Sequence, residues 1–578
     1  MEQKQQKQQK QQKRRKSLHW LHLSALSAAL MISGCTGGGA EQSPSVNESA
    51  NTKEQINISE GVSPNAEPRS KIRPVSFTQF VNYDWYTAPT WEERPHGQWI
   101  TDELGVVMEP VQSNGAAATK LNSMIVAKKL PDAIVLDRGK DVERLVSAGQ
   151  LVALDPYLEK YPEFVKTIGE ETINMLRSAD GKLYQIPNWF ISGDNGNGNA
   201  AYLVNRKIYK ELGSPKVETW NELEAYLEQV KEKYNGSIVP IDFGEMRDSE
   251  SQMISMLYSG AAEDRTGGFI SPGSGGVFGV PQGAQLTSIY TDPAFEQTVM
   301  FASRLFREGL TSKDAFTQTR DQILEKLKNG KVAVFSAFDS VVEGIGREAN
   351  NHLQAADPEA GYDVIWPVHA EGVDKNKVYP SGYNTLGWNV NVITTNAKDP
   401  EAIFAYMNWA ISEEGQQVLF FGPKGLFYDE VKDGVPIPNE AYINRDPKKY
   451  DEMKIGEFNW YGNTSYVDVA KAKREELLPE EAQDWTTVAQ STVSFKTSKN
   501  MTEFSNLDPL ATSEEGIILQ RLKDYYKQVI PRLVFAGNDE EVKSILAEAQ
   551  AESVKLGYDK VLNWKTAKWQ ENLKIMGK

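Results

Sequence analysis

Short apolar runs alternate with amphipathic stretches along most of this chain, and this alternation constrains the fold more than any other feature. From Val75 onward, runs such as Ala133–Leu136 and Val332–Phe335 have the length and β-branched content of buried strands. Stretches with helical periodicity separate them. Because such alternation is typical of parallel sheets covered by helices, we predict an α/β fold with parallel sheets.

Three helix starts are marked by their capping residues. Thr219 and Glu222 form a capping box, and Asp292-Pro293 and Asp399-Pro400 each place a cap before a proline at the first helical position. Apolar residues at helical spacing follow each start, so we predict that these faces are core. The tryptophans predicted to pack in cores are Trp220, Trp409, Trp564 and Trp569.

Residues 1–34 have the pattern of a secretory leader. Seven Lys and Arg residues lie in a Gln-rich run, and an apolar stretch from Leu18 to Ile32 follows them. That stretch is too short and too rich in Ser and Ala for a good transmembrane helix. It ends at Ile32-Ser33-Gly34-Cys35, which resembles a bacterial lipobox, where the cysteine thiol is lipidated and the preceding bond is cut. Since Cys35 is the only cysteine, we predict a lipid anchor there and no membrane span.

Composition excludes several classes of partner. Residues 35–73 are rich in Gly, Ser, Asn, Glu and Pro, and we predict that they form the lipidated Cys and a disordered linker. The formal net charge of −16 becomes −22 without residues 1–34, which hold seven basic residues and one acidic residue. This chain lacks the basic surface with which nucleic-acid-binding proteins neutralise phosphates, so we exclude nucleic acid as a partner. A single cysteine also excludes intrachain disulfides and Cys-rich metal sites.

No signature of a common active site is present. Gly-Lys pairs are never followed by Ser or Thr, and neither HExxH nor GxSxG occurs. Gly196–Ala201 fits GxGxxA, but the strand-like Tyr202–Val204 follows it, so we interpret it as a flexible loop. The polar run Asp194–Asn199 misses the spacing of an EF-hand loop. We predict no catalytic residue, no metal site and no cofactor, while calcium binding by a loop stays open.

A series of motifs resembles the family 1 extracellular solute-binding proteins, related to maltose-binding-type proteins. The tail Leu556–Asp559 is similar to large lipoprotein members from low-GC Gram-positive bacteria. The resemblance runs from about residue 75 to the end and depends on the order and spacing of the motifs. They are Leu183–Pro187, Ala201–Arg206, Thr219-Trp220, Gly309-Leu310, Asn329–Ala333, Asn408-Trp409 and Glu414-Gly415.

This resemblance implies a periplasmic-binding-protein-like type II fold, in which two α/β lobes joined by crossover strands close on a ligand. Motif order places lobe one at residues 74–188 plus 367–420 and lobe two at residues 189–366 plus 421–578. The implied crossovers are Tyr184–Trp189 and Tyr362–Pro367. The resemblance also implies a binding protein, not an enzyme.

Aromatic residues indicate the class of ligand. The chain has 13 Trp, 23 Tyr and 21 Phe, more than the cores of two such lobes demand. Flat rings stack on the apolar faces of sugars, while carboxylates and amides bind the hydroxyls. Ligands of open α/β sheets lie beyond the carboxyl ends of strands. Asn82–Tyr86 and Asp137-Arg138 each follow a predicted strand and therefore lie at such positions. The Asp137-Arg138 pair also looks like one in maltose-binding relatives. The predicted ligand-binding residues are Tyr83, Asp84, Trp85, Asp137, Arg138, Trp189, Asp339, Trp366, Tyr383 and Trp388.

The function implied by the resemblance is that of the substrate-binding lipoprotein of an ABC importer. Its ligand would be a mono- or oligosaccharide and its partners ABC permease subunits. We expect a monomer anchored by lipid to the extracellular face of a Gram-positive cell membrane. Two alternatives stay open: a secreted lipoprotein enzyme that acts on polysaccharide, and a sensor or adhesin lipoprotein that presents its ligand to another receptor.

We expect Cys35→Ala to release the protein from the membrane without affecting its folding, because the anchor is separate from the folded body. Immunoblots of membrane and medium fractions measure the release, and a melting curve of the released protein checks the fold. Retention of Cys35→Ala in the membrane fraction would refute the lipobox interpretation.

Overall fold

The computed structural model describes residues 71–578 except 194–195, 248–249, 274 and 457–459. The predicted leader, Cys35 and most of the predicted linker lie outside the described residues, as do Asp194 and Asn195. In the described part of the chain, no helix combines the length and the apolar character needed to cross a bilayer.

The strands form two main sheets and three short pairs. The first sheet has the order β2-β1-β3-β12-β4 and the second β10-β5-β9-β6. The pairs β7-β8, β11-β15 and β13-β14 are separate. The strands are β1 (Val75–Val81), β2 (Val106–Val111), β3 (Ala133–Leu136), β4 (Gln185–Asn188), β5 (Ala201–Asn205), β6 (Val239–Phe243), β7 (Val280–Gln282), β8 (Gln285–Thr287), β9 (Val332–Ala337), β10 (Tyr362–Ile365), β11 (Ser381–Tyr383), β12 (Asn389–Ile393), β13 (Tyr428–Lys432), β14 (Val435–Pro438) and β15 (Ser498–Asn500).

Both main sheets are mixed, whereas we predicted parallel sheets. β1 is parallel to β2 and β3, and β6 to β9. β12 is antiparallel to β3 and β4, and β5 to β9 and β10. Parallel neighbours need a long crossover, which Pro95–Leu104 and Ala117–Ala127 supply between β1, β2 and β3. β12 instead follows β11 after a short loop and enters the first sheet in the opposite direction.

Helix starts follow the predicted caps. Thr219 and Glu222 form the capping box, and the side chains of Asp292 and Asp399 accept hydrogen bonds from the first turns of their helices. These three predictions are confirmed. The helices of eight or more residues are Pro95–Leu104, Ala117–Ala127, Lys140–Ser147, Trp220–Tyr234, Gln252–Ala261, Pro293–Arg307, Arg320–Lys328, Glu348–Ala356, Pro400–Ala410, Glu413–Phe421, Thr464–Glu475, Glu514–Val534, Asp539–Leu556 and Tyr558–Ile575.

Two large hydrophobic clusters surround the two main sheets. Trp409 is buried in the cluster of the first sheet, and Trp220 and Trp569 are buried in that of the second. Trp220 stacks on Phe301 with 4.5 Å between ring centroids. The core assignments of these three tryptophans are therefore confirmed, while Trp564 is half-buried.

The predicted crossovers contain strands of both sheets. β4 lies within Tyr184–Trp189 and pairs in the first sheet, whereas β10 lies within Tyr362–Pro367 and pairs in the second. Tyr461 and Val467, from the segment predicted to belong to lobe two, pack in the cluster of the first sheet. The division into two lobes with the stated boundaries stays a prediction.

An acidic side chain from the loop after β1 caps a neighbouring helix. Helix Ala117–Ala127 begins after Ala116, which has no side-chain cap of its own. Asp84 Oδ1 accepts a hydrogen bond from the Ala117 N–H at 2.7 Å. Because a negative charge near a helix N-terminus is stabilising, Asp84 ties this loop to the helix.

We expect Asp84→Ala to lower the free energy of unfolding by about 1 kcal/mol, the typical value of a helix cap. Asp84→Asn keeps an acceptor oxygen, so its loss should be smaller. Chemical denaturation without ligand measures both variants. An Asp84→Ala protein as stable as the wild type would contradict the capping role.

Candidate functional site

Five aromatic side chains lie together near the ends of β1 and β3, and we call Tyr83, Trp85, Tyr86, Trp388 and Trp460 the aromatic platform. Ring centroids are 5.5 Å apart between Tyr83 and Trp85 and 5.2 Å apart between Tyr83 and Trp388. Trp460 lies 6.0 Å from Tyr83 and meets Tyr86 edge-on at 4.9 Å. Trp85 is 68% exposed and Trp388 47%, whereas Trp460 is only 2% exposed. The platform thus offers flat apolar rings to solvent above a buried base.

The two residues after β3 hold the platform in place. Tyr83 Oη donates a hydrogen bond to Asp137 Oδ1 at 2.7 Å. Burial and this hydrogen bond raise the pKa of Tyr83 well above its usual range, so the hydroxyl stays protonated. Arg138 donates to the backbone oxygen of Gly387, directly before Trp388. Burial lowers the pKa of Arg138 to about 10, so its guanidinium is still charged at neutral pH.

Trp460, which the sequence did not predict as a site residue, is held by buried amides of the first sheet. Asn391 Nδ2 donates to the backbone oxygen of Trp460. Gln79 Nε2 donates to Tyr461 Oη at 2.8 Å. These partners are 69 and 382 residues apart in the chain. No local sequence pattern therefore marks Trp460.

Trp189 follows β4 in an unusual backbone conformation. Its φ of 56° lies in the left-handed region, which bulky residues rarely adopt. The ring meets Phe420 edge-on at 5.2 Å, and Lys471 Nζ lies 5.7 Å from its centroid. Gly462 permits this packing, since a Cβ there would lie 2.7 Å from the Trp189 ring. The ring is thus fixed on both sides.

A cavity of about 620 Å³ has both the platform and Trp189 in its wall. This volume is in the range of small-molecule sites. Of the predicted ligand-binding residues, Trp85, Trp189 and Trp388 line the cavity. Tyr83 belongs to the platform but does not line the cavity, and Asp137 and Arg138 hold the platform in place. The other lining residues are Tyr86, Arg347, Phe420, Phe421, Tyr442, Arg445, Tyr450, Asp451, Lys454, Ile455, Gly456, Trp460, Lys471, Arg474, Glu475, Asp484 and Thr487.

Besides Tyr83, Asp137 and Arg138, four predicted ligand-binding residues are not among the residues that line this cavity. Asp339 forms ion pairs with Arg320 at 2.6 Å and Arg247 at 3.2 Å. Trp366 Nε1 donates to a backbone oxygen, and Tyr383 lies in β11, paired with β15. Asp84, at the end of its helix, does not line the cavity either. A role for these four residues in binding stays a prediction.

The segment Gly196–Ala201, which we predicted to be a flexible loop, forms hydrogen bonds with residues distant in the sequence. Asn197 Nδ2 donates to Asp468 Oδ2 at 2.9 Å, and Asn199 Oδ1 accepts from Gln490 Nε2 at 2.7 Å. Within the described residues, no group of three or more His, Cys, Asp or Glu residues is placed to bind a metal ion.

Several solved structures have a similar fold, and each of them matches this chain over almost its whole length. An HMO-binding solute-binding protein associated with an ABC transporter, from Bifidobacterium longum infantis, is 14% identical with a TM-score of 0.61, over 87% of this chain and 99% of that one. The Streptococcus pneumoniae ABC-transporter substrate-binding protein FusA, in complex with kestose, is 17% identical with a TM-score of 0.58, over 86% and 99%. The N-glycan transport solute-binding protein of Streptococcus pneumoniae is 14% identical with a TM-score of 0.53, over 87% and 99%. These likenesses show the type II periplasmic-binding fold, as predicted.

A family comparison extends this result to the sequence. No curated protein matches the chain. The model of the family described as bacterial extracellular solute-binding protein matches residues 103–417, more than half of the chain. The resemblance seen in the ordered motifs is thereby confirmed, and the chain belongs to the family of bacterial extracellular solute-binding proteins.

Proposed function

We propose that this protein is the substrate-binding component of an ABC importer and that it binds a mono- or oligosaccharide in the cavity beside the aromatic platform. The observation that carries the proposal is the exposure of Trp85 and Trp388 at a cavity of about 620 Å³. Large aromatic rings are normally buried, and rings exposed at a concave site are typical of ligand contacts.

The geometry of the platform suits a sugar ring. A pyranose has an apolar face of C–H groups, which packs on an aromatic ring, and a rim of hydroxyls, which needs hydrogen-bonding partners. Trp85 and Trp388 supply such rings, and the exposed Asp137 carboxylate beside them supplies acceptors. The platform and its polar neighbours thus meet both requirements.

The similar solved structures support the same class of ligand. Kestose, found in one of them, is an oligosaccharide, and N-glycans, named for another, are also carbohydrates. Those ligands belong to those proteins, and their relation to this chain is part of the proposal.

Membrane tethering and partnership with a permease complete the proposal. The leader and Cys35 would place a lipid anchor on the extracellular face of the membrane, and the linker would leave the body free to meet the permease. The chain has no nucleotide-binding motif, so partner subunits would supply the energy of transport.

We expect Trp85→Ala and Trp388→Ala each to weaken saccharide binding by about 1–3 kcal/mol, because each removes a stacking ring. A thermal-shift screen of mono- and oligosaccharides finds the ligand, and calorimetry gives the affinities. Trp564→Ala is the matched control, since Trp564 does not line the cavity and is not a predicted ligand-binding residue. Absence of any saccharide binding would end the proposal, and turnover of a glycan would favour an enzyme.

Closure of two lobes on the ligand predicts compaction. A ligand that contacts both lobes only in the closed form must shift the population toward that form. Small-angle scattering should therefore give a smaller radius of gyration with saturating ligand than without it. Tight binding with an unchanged radius would argue against the clamp, although not against sugar binding.

A further inference from the structure

The wall of the cavity carries an excess of positive charge although the chain has a formal net charge of −16. Among the described residues that line it, five are basic and three are acidic. Composition alone would give the opposite balance. The basic lining residues are Arg347, Arg445, Lys454, Lys471 and Arg474, and the acidic ones are Asp451, Glu475 and Asp484.

The three acidic residues leave most of these cations unpaired. Arg347 lies 3.5 Å from Asp451 and 3.4 Å from Asp484, so it engages two of the carboxylates. Glu475 Oε2 accepts the backbone N–H of Asp484 at 2.7 Å, and burial raises the pKa of Glu475. Among the described residues, the basic lining residues without a carboxylate oxygen within 4.0 Å are Arg445, Lys454, Lys471 and Arg474.

Of the five basic lining residues, Arg474 is the most deeply buried. Its side chain is 4% exposed, yet Nε and Nη2 have no hydrogen-bond partner in the described part of the chain. Buried polar groups are normally hydrogen-bonded, and a buried unpaired charge is costly. Arg474 lines the cavity, so its guanidinium adds a positive charge to the cavity wall, although Nε and Nη2 themselves are buried.

A second guanidinium lies close to the first. The guanidinium carbons of Arg474 and Arg445 lie 3.4 Å and 3.7 Å from the centroid of the Tyr442 ring. The two groups are therefore no further apart than the sum of these distances. Attraction to the ring holds each cation, but their mutual repulsion remains in a poorly solvated site. At these distances the two guanidinium groups lie on opposite faces of the ring, so an anion in the cavity would offset the repulsion by approaching one of them and not by lying between them.

Lys471 connects this charge to the aromatic part of the cavity. It lies three residues before Arg474 on helix Thr464–Glu475, so the two side chains share one face. Its ammonium lies 5.7 Å from the Trp189 ring centroid and 5.5 Å from that of Phe420. The nearby Asp468 accepts a hydrogen bond from Asn197; burial raises the pKa of Asp468, and the charge of Lys471 opposes that rise. Positive charge and stacking rings thus line one continuous wall.

We propose that the saccharide bound by this protein is acidic, and that Arg474, Arg445 and Lys471 bind its anionic group. That group is a carboxylate or a sulfate ester, both of which accept paired N–H donors from a guanidinium. A neutral sugar offers hydroxyl acceptors but no negative charge to compensate these cations, so the same residues favour a charged ligand over a neutral one. This inference rests on the proposed function and names the substrate class of that site.

The test compares sugars that differ only in charge. The probes are oligogalacturonates, their methyl esters of equal length, and chondroitin oligosaccharides with and without sulfate, together with neutral gluco- and xylo-oligosaccharides. Calorimetry should show at least about tenfold tighter binding of a charged probe than of its neutral counterpart. The preference should shrink when the salt concentration rises, because salt screens partly exposed charges.

Variants test whether the basic residues that line the cavity cause the preference for charged probes. Lys471→Gln and Arg474→Gln should each lower the affinity for the charged probe at least about tenfold. Lys473→Gln is the matched control, because Lys473 is exposed on the same helix and does not line the cavity. Since Arg474 is buried, melting curves check that the Arg474→Gln protein is still folded. Lys471 is only half-buried, so its variant tests the proposal even if Arg474→Gln fails to fold.

The outcomes separate the two proposals. Tight binding of a neutral oligosaccharide, unaffected by salt and by Lys471→Gln, would overturn the acidic ligand and leave sugar binding intact. Failure of every charged and neutral probe to bind would overturn sugar binding and the acidic ligand together.

Discussion

Buried amide side chains in the first sheet determine where the site is completed. Gln79, Asn188 and Asn391 are almost fully buried, and such groups cost about 1–3 kcal/mol each when they lack a hydrogen-bond partner. They find partners on the segment 460–462: the backbone oxygen of Trp460, the hydroxyl of Tyr461 and the N–H of Gly462. The hydrogen bonds of these buried amides therefore fix the position of segment 460–462, and with it the buried Trp460 ring at the base of the platform.

Local patterns predicted the elements that local forces determine. β3 has the predicted bounds because it is a short apolar run next to polar residues. Thr219 caps its helix because the partner lies three residues away. Trp460 and Arg474 gave no such signal, since their positions depend on contacts with distant parts of the chain. Sequence patterns thus predicted the exposed rings of the platform, but neither Trp460 at its base nor the basic residues that line the cavity.

Asp137 and Asp339 show why one rule for site residues had two outcomes. Both follow the end of a strand, where ligands of α/β sheets commonly lie. Asp137 accepts a hydrogen bond from the Tyr83 hydroxyl beside exposed rings, whereas Asp339 forms ion pairs with Arg247 and Arg320. These arginines are 92 and 19 residues away, so the sequence did not reveal the neutralisation.

The Tyr442 ring links the stability of the empty cavity to its selectivity. A cation over an aromatic ring gains only about 0.5–2 kcal/mol, which offsets part of the cost of two neighbouring guanidinium groups. The remaining cost persists with a neutral ligand, and it falls when an anion in the cavity approaches one of the two guanidinium groups. Strain of this kind at a binding site is tolerated because binding relieves it. Selectivity for charge then arises from the energy of the unfilled site as much as from contacts to the ligand.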